Sequence, residues 1–251
     1  MNTAKNIYFL SDFHLGAPDN ASSLIREKKI ISFLDEIKKD ASAIFILGDL
    51  FDFWFEYKYV VPKGYVRILG KLAEITDSGI PIKFFTGNHD MWMKDYFQNE
   101  MNISVYHEPA SFEFNGKMFL IGHGDGLGPG DKGYKFLKKI FRNKMAQALF
   151  GIIPPAIGIG LANYFSKKSR AQTGINNEIF TGDDNEWLVQ YCKERLKSSY
   201  FDYFIFGHRH LPLNIQLTET SNYVNLGDWI QYNSYAVFDG NSLTLDYYKN
   251  Q

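Results

Sequence analysis

The stretch Ile44-Phe45-Ile46-Leu47-Gly48-Asp49-Leu50-Phe51-Asp52 decides how this chain is read. It opens as an apolar run of buried-strand length and breaks at Gly-Asp. A carboxylate at the mouth of a buried strand is poorly solvated, and it is stable there when a cation meets it. Four other stretches have the same form, an apolar strand ending in residues that ligate metals. They are Ile7-Tyr8-Phe9-Leu10-Ser11-Asp12-Phe13-His14, Ile82-Lys83-Phe84-Phe85-Thr86-Gly87-Asn88-His89-Asp90, Met118-Phe119-Leu120-Ile121-Gly122-His123-Gly124-Asp125 and Tyr203-Phe204-Ile205-Phe206-Gly207-His208-Arg209-His210. Five of the six histidines lie at these strand ends, which makes a shared site the leading reading.

The rest of the chain supplies the frame. Strand Asn6–Ser11 precedes a helical pattern over about Ser23 to Lys39, with Leu24, Ile30, Ile31, Phe33, Leu34 and Ile37 on one face. A second helix is expected over Val66–Thr76, a strand over Pro81–Phe85, and a short helix from Met91. Strands that are apolar throughout, alternating with helices, argue for sheets covered by helices. Beyond this the pattern changes. Ser111–Phe114 and Lys117–Ile121 flank Asn115-Gly116, a tight-hairpin signal. Phe201–Phe206, Leu213–Leu217, Tyr223–Leu226, Ser234–Phe238 and Ser242–Tyr247 read as further strands, the last two joined at Asp239-Gly240. A strand–helix first half and a meander-rich second half predict a two-sheet α/β sandwich flanked by helices.

The bulk numbers bound the partners. The 251 residues fit one large domain carrying an insertion, and 45% hydrophobic and 17% aromatic residues can fill its core. A net charge of −1 gives no global signal for nucleic acid or membrane, so any such signal must be local. One cysteine, Cys192, rules out an internal disulfide and fits a reducing compartment. Asn6 opens a strand with no signal-peptide pattern before it, and Pro154-Pro155 interrupts the longest apolar stretch. The expectation is a soluble cytoplasmic protein with no indicated protein partner.

About Gly126 to Gly182 the character differs. From Lys132 to Arg170 there are nine Lys or Arg and no Asp or Glu. Tyr134, Leu137, Ile140, Phe141, Met145, Leu149 and Phe150 recur there at helical spacing. Basic and amphipathic together is a membrane-surface or anionic-ligand signature. An ordinary helical insertion with a solvated basic face has the same composition, and both readings stand.

Taken together, the candidate ligands are Asp12, His14, Asp49, Asn88, His123, His208 and His210. Mixed Asp, Asn and His suits Mn²⁺, Fe²⁺ or Zn²⁺ and not a thiolate site. Seven ligands are too many for one catalytic ion with an open position. They suit two ions sharing a carboxylate, with Asp49 as the natural bridge, an arrangement that clamps an in-line displacement at phosphorus. Single motifs are weak: most Gly-Asp pairs are turns, and a lone histidine is usually structural. Five in order, each after an apolar strand, are hard to explain as structure alone.

Asp12-x-His14, Gly48-Asp49-x-x-Asp52, Gly87-Asn88-His89-Asp90, Gly122-His123 and Gly207-His208-x-His210 resemble the five motifs of the calcineurin-like metallophosphoesterases. The resemblance spans about residues 5 to 240 and implies a four-layer α/β/β/α sandwich with a dinuclear site at the strand ends. By position it assigns Asp12, His14, Asp49 and His210 to one metal and Asp49, Asn88, His123 and His208 to the other. It makes Asn88 and His89 the catalytic side chains, with His89 stabilising phosphoryl charge or protonating the leaving oxygen.

Gly48-Asp49-Leu50-Phe51-Asp52-Phe53-Trp54, His123-Gly124-Asp125-Gly126-Leu127, Asp131, Tyr134, Phe141-Arg142-Asn143, Gln147-Ala148-Leu149-Phe150, Pro154 and Val224-Asn225-Leu226-Gly227-Asp228-Trp229 are similar to one branch. That branch is the UDP-2,3-diacylglucosamine diphosphatases of lipid A biosynthesis. It implies two divalent ions, Mn²⁺ foremost, and an acylated UDP-sugar substrate split to UMP and a diacylated glucosamine 1-phosphate. It also implies a helical lid over about 126–182 that receives acyl chains at the inner-membrane surface. Substrate contacts carry over to Asn88, His89, Asp131, Ser169 and His208. The chain departs from the branch at His89, where Arg is usual, and at Thr173 and Asn176. His and Arg both contact phosphate, but only His readily donates a proton near neutral pH. Three rivals remain: a phosphoesterase for another nucleotide diphosphate or phosphodiester, a metal-retaining scaffold, and a nuclease. A nuclease would want a long basic groove that the composition does not show, and a scaffold would be expected to lack a ligand.

Overall fold

The strands that end in candidate ligands are largely apolar on both faces because both faces are covered. The computed structural model describes residues 6–130, 132–173, 180, 182, 183 and 185–249, without the side chains of 163 and 167–173. In chain order the first half runs β1 (Asn6–Leu10), α1 (Asn20–Ile37), β2 (Ala41–Leu47), α2 (Val66–Asp77), β3 (Ile82–Phe85), α3 (Tyr96–Met101) and β4 (Ser104–Tyr106). A hairpin of β5 (Ala110–Phe114) and β6 (Lys117–Ile121) follows, then α4 (Lys132–Phe141), α5 (Lys144–Ile152) and α6 (Pro155–Thr173). The chain ends with α7 (Trp187–Leu196), β7 (Tyr203–Phe206), β8 (Pro212–Gln216), β9 (Asn222–Leu226), β10 (Ser234–Phe238) and β11 (Leu243–Tyr247).

Two mixed sheets result. One has the order β11-β10-β1-β2-β3-β4, the other β5-β6-β7-β9-β8. Within them β1 to β4 run parallel, as do β6, β7 and β9. Alternate side chains of each strand feed different cores. Ile7, Phe9, Phe45, Leu47 and Phe85 meet Phe119, Ile121 and Ile205 between the sheets. Phe45 stacks on Phe9 at 5.2 Å and meets Phe112 edge-on at 5.2 Å. Each such fully buried ring contributes roughly 1.5–3 kcal/mol of transfer free energy. Tyr8, Leu10, Ile44, Ile46 and Phe84 point the other way, onto α1, α2 and α3. Leu120, Phe204 and Phe206 pack on Leu188, Val189 and Cys192 of α7. This is an α/β/β/α sandwich, as expected.

Several boundaries differ from the sequence reading. The short helix expected from Met91 begins at Tyr96. Trp92 is instead held in a bridge to Phe55, and the Glu56 carboxylate accepts the backbone N–H groups of Asp95 (2.9 Å) and Tyr96 (3.2 Å), which starts the helix there. The three-residue β4 is too short to show alternation, and it ends just before His107. The Asn115-Gly116 turn is as expected, with φ positive at both residues.

The topology puts the site at one edge of each sheet. Parallel strands end on the same side, so β1, β2 and β3 deliver Asp12, Asp49 and Asn88 together, while β6 and β7 deliver His123 and His208. Ligand sites of open α/β sheets lie at such carboxyl ends.

Candidate metal centre

The residues after these strands cross tight loops whose backbone is strained. Among the described residues, nine other than glycine have positive φ, and five of them are candidate ligands: Asp12 (56°), His14 (44°), Asp49 (53°), His208 (65°) and His210 (53°). Such conformations cost about 1–3 kcal/mol each and concentrate where function imposes them. Two glycines leave the room this requires. A Cβ on Gly48 (φ 84°) would lie 2.6 Å from the Gly87 nitrogen and from His123 Nδ1, and one on Gly207 would collide with the Asp12 carboxylate.

The side chains converge. His14 Nε2 lies 3.1 Å from His210 Nε2, 3.7 Å from Asp12 Oδ1 and 3.6 Å from Asp49 Oδ2. His210 Nε2 is 3.2 Å from Asp12 Oδ1. On the other side of Asp49, His123 Nε2 is 3.4 Å from the same Oδ2 and 3.2 Å from Asn88 Oδ1. The His123 and His208 rings are 5.1 Å apart. Two donor groups, Asp12–His14–Asp49–His210 and Asp49–His123–His208, therefore share one carboxylate.

Hydrogen bonds turn these donors inward. Asp12 Oδ2 accepts from Ser11 Oγ (2.5 Å) and the His208 N–H (2.9 Å), whereas its Oδ1 is buried and accepts none. Asp49 Oδ1 accepts the His89 N–H at 2.9 Å, which leaves Oδ2 facing the histidines. His123 Nδ1 donates to the Leu47 carbonyl at 2.7 Å, which turns Nε2 toward Asp49 and Asn88. A buried carboxylate oxygen without a donor, beside imidazole nitrogens aimed at it, is the signature of an ion-binding position. The donors fit divalent cations.

Charge in this pocket follows the carboxylates. Burial works against ionised Asp12 and Asp49, but His210 and His123 respectively hold them well below the ordinary carboxylate range. Burial also opposes charge on His123 and His210, yet Asp49 and Asp12 raise these rings to about 10. Burial prevails at His89 and His208, which fall to about 4. Asp90, deeply buried and close to the charge of Asp49, rises to about 7 while accepting from Leu50 N–H (2.9 Å) and Gly87 N–H (2.7 Å). It braces two ligand loops against each other.

All seven candidate ligands and His89 come together. Asp131 lies outside the described residues, as does the side chain of Ser169. Asp52 orients its neighbours: its carbonyl accepts His89 Nδ1–H at 2.9 Å, and its Oδ1 is 3.8 Å from His14 Nδ1. Asp125 accepts from Tyr134 Oη at 2.6 Å and pairs with Lys138 at 2.5 Å, tying α4 to the His123 loop. Ser166 was missed by sequence reasoning. From α6 its Oγ lies 3.0 Å from Asp52 Oδ2 and 3.2 Å from His89 Nδ1. The signal was its position one helical turn before Ser169. Cys192 is buried on the sheet-facing side of α7, and burial raises its thiol far from reactivity.

The calcineurin-like phosphoesterase family profile matches residues 5–212. The chain belongs to the calcineurin-like phosphoesterase family. Within it, the chain is similar to a UDP-2,3-diacylglucosamine hydrolase of Porphyromonas gingivalis, at 40% identity over 96% of each chain. Another UDP-2,3-diacylglucosamine hydrolase, from Ectopseudomonas mendocina, is 30% identical over 89% of this chain and 90% of its own. Among solved structures, the phosphoesterase Yfce of E. coli aligns over 95% of this chain and 91% of its own, with 15% identity and a TM-score of 0.46. Calcineurin-like phosphoesterases are metal-dependent hydrolases, and membership implies divalent ions.

Protons occupy two of the nitrogens that an ion would need. With His123 and His210 raised to about 10, both rings are protonated in the metal-free protein at neutral pH and must lose a proton to coordinate. Metal binding is therefore expected to release protons, and apparent affinity to rise with pH toward about 10. Calorimetric Mn²⁺ titrations in buffers of different ionisation enthalpy check this, and an affinity flat from about pH 7 to about pH 9 would contradict it.

Proposed function

We propose that this protein hydrolyses the pyrophosphate bond of UDP-2,3-diacylglucosamine, giving UMP and 2,3-diacylglucosamine 1-phosphate in lipid A biosynthesis. One arrangement carries the chemistry: two donor groups sharing Asp49 Oδ2, with His89 beside them. The full-length likeness to the P. gingivalis hydrolase supports the substrate. Asp12, His14, Asp49 and His210 would hold one divalent ion, and Asp49, Asn88, His123 and His208 the second. Manganese suits this nitrogen–oxygen donor set without thiolate. When bound, such ions supply Lewis-acid polarisation of phosphoryl oxygens and a water of lowered pKa.

The chain's own side chains do the rest. His89 donates its Nδ1–H to the Asp52 carbonyl, which directs Nε2 away from Asp52. A pyrophosphate arriving there brings the negative charge that favours the protonated ring, so His89 binds the phosphoryl group as a cation. Water adds at phosphorus and gives up a proton to solvent, the bridging P–O bond breaks, and the departing phosphate keeps the electron pair. Asn88 and His208 line the same position, and Asp131 and Ser169 are proposed as further substrate contacts.

Helices α4 to α6 would form the acyl-chain lid. Phe150 of α5 packs on Phe55 at 4.8 Å and Trp92 at 4.7 Å, and Trp92 Nε1 donates to the Phe141 carbonyl at 2.6 Å. These contacts seat the helices beside the metal centre, while Met145, Leu149 and Ile152 stay exposed. Among the described residues no helix is long and apolar enough to cross a membrane. Exposed apolar side chains within a segment of nine basic and no acidic residues instead suit peripheral contact with an anionic lipid surface, on the cytoplasmic face of the inner membrane.

The hydrolysis assay compares UDP-2,3-diacylglucosamine with UDP-N-acetylglucosamine and a generic phosphodiester, in the presence of Mn²⁺. Release of UMP from the diacylated substrate alone is expected, with His123→Ala lowering the rate by more than about 100-fold. Cleavage of the phosphodiester alone would contradict the substrate and favour a different phosphoesterase. Separately, the protein is expected to sediment with anionic vesicles at low salt and to be released by high salt. Protein that stays in the supernatant at low salt would contradict the membrane contact.

A further inference from the structure

The loop after β9 reaches the metal centre from a direction that none of the five ligand motifs supplies. Asp228 is buried in it. Its Oδ1 accepts three backbone N–H groups, from Ile230 (3.1 Å), Gln231 (2.8 Å) and Tyr232 (3.3 Å), which fix the carboxylate whatever His210 does. Its Oδ2 lies 3.3 Å from His210 Nδ1. On the far side of that ring, Nε2 faces Asp12 Oδ1 and His14 Nε2. The imidazole is thus strung between a rigidly held carboxylate and the donor cluster. Two more bonds join the loops: the Trp229 N–H donates to the Asp12 carbonyl at 3.2 Å, and Asn225 Nδ2 to the Gly207 carbonyl at 2.5 Å.

We propose that Asp228 is a positioning residue of the metal centre, holding His210 Nδ1–H so that Nε2 is delivered to the ion shared with Asp12, His14 and Asp49. The proposal rests on the metal reading of the site. A carboxylate behind a ligating imidazole fixes its tautomer and raises its basicity. His123 has only a neutral carbonyl, Leu47 O, in the same position. The two ion positions are therefore unequal, and the one holding His210 is the tighter.

Asp228→Asn separates this role from support of the turn. The three N–H donors select an oxygen at the Oδ1 position, so the turn survives, and the amide NH₂ left at Oδ2 cannot accept Nδ1–H. Metal-free wild type and variant are titrated with Mn²⁺ by calorimetry, and their thermal melting is compared without metal. The expected result is two ions in the wild type, about 10–100-fold weaker binding of the tighter one in Asp228→Asn, and equal melting temperatures. In the zinc-loaded proteins, ¹⁵N-edited NMR is expected to show a hydrogen-bonded His210 Nδ1–H in the wild type and its loss in the variant. Equal affinities with an unchanged Nδ1–H signal would overturn the proposal. A lower melting temperature with both ions weakened alike would mark a structural role and also overturn it. A wild type that binds no Mn²⁺ would overturn the metal reading itself.

Discussion

Two buried carboxylates facing several imidazoles at the same strand ends set the terms for this molecule. Asp12 and Asp49 each have one oxygen occupied by protein donors and the other turned toward the histidines. Burial would neutralise such groups unless positive charge meets them. In the metal-free protein that charge comes from protonated His123 and His210. Divalent ions held there, as proposed, would replace those protons, so that the energetic problem and its chemical use would be the same feature.

The sandwich makes this concentration mechanically affordable. An inter-sheet core and two helical outer layers pack every strand that carries a candidate ligand, so the loops behind them can carry left-handed backbone at five candidate positions. Parallel pairing aligns the carboxyl ends within each sheet, and stacking the two sheets brings those edges together. Gly48 and Gly207 then let backbone and carboxylate approach more closely than a side chain would permit. Around this floor, Asp52, Asp90 and Asp228 each meet a ligand or its loop, so that orientation is fixed before any ion arrives.

Much of this was legible in the sequence, for a physical reason. A strand buried on both faces reads as an uninterrupted apolar run, and polar ligand residues at its end stand out against it. Ile44–Asp52 and its four counterparts therefore marked both the sheets and the centre. The less legible parts depend on tertiary partners. The start of α3 shifted because Glu56, far away in sequence from its tip, caps it. Three-residue β4 is ordered by its neighbour β3 and not by its own pattern. Ser166 and Asp228 meet His89 and His210 only through the fold; the sequence offered no more than Ser166 one turn before Ser169 and Asp228 inside the branch-like stretch Val224–Trp229, with no sign of which histidine either would meet.

The proposed chemistry depends on a pair of ions bridged by one carboxylate. Anomalous diffraction at the manganese edge from crystals grown with Mn²⁺ tests it most directly. Two peaks about 3.5–4 Å apart, one on each side of Asp49 Oδ2, are predicted. A single peak, or density away from Asp49, would contradict the account.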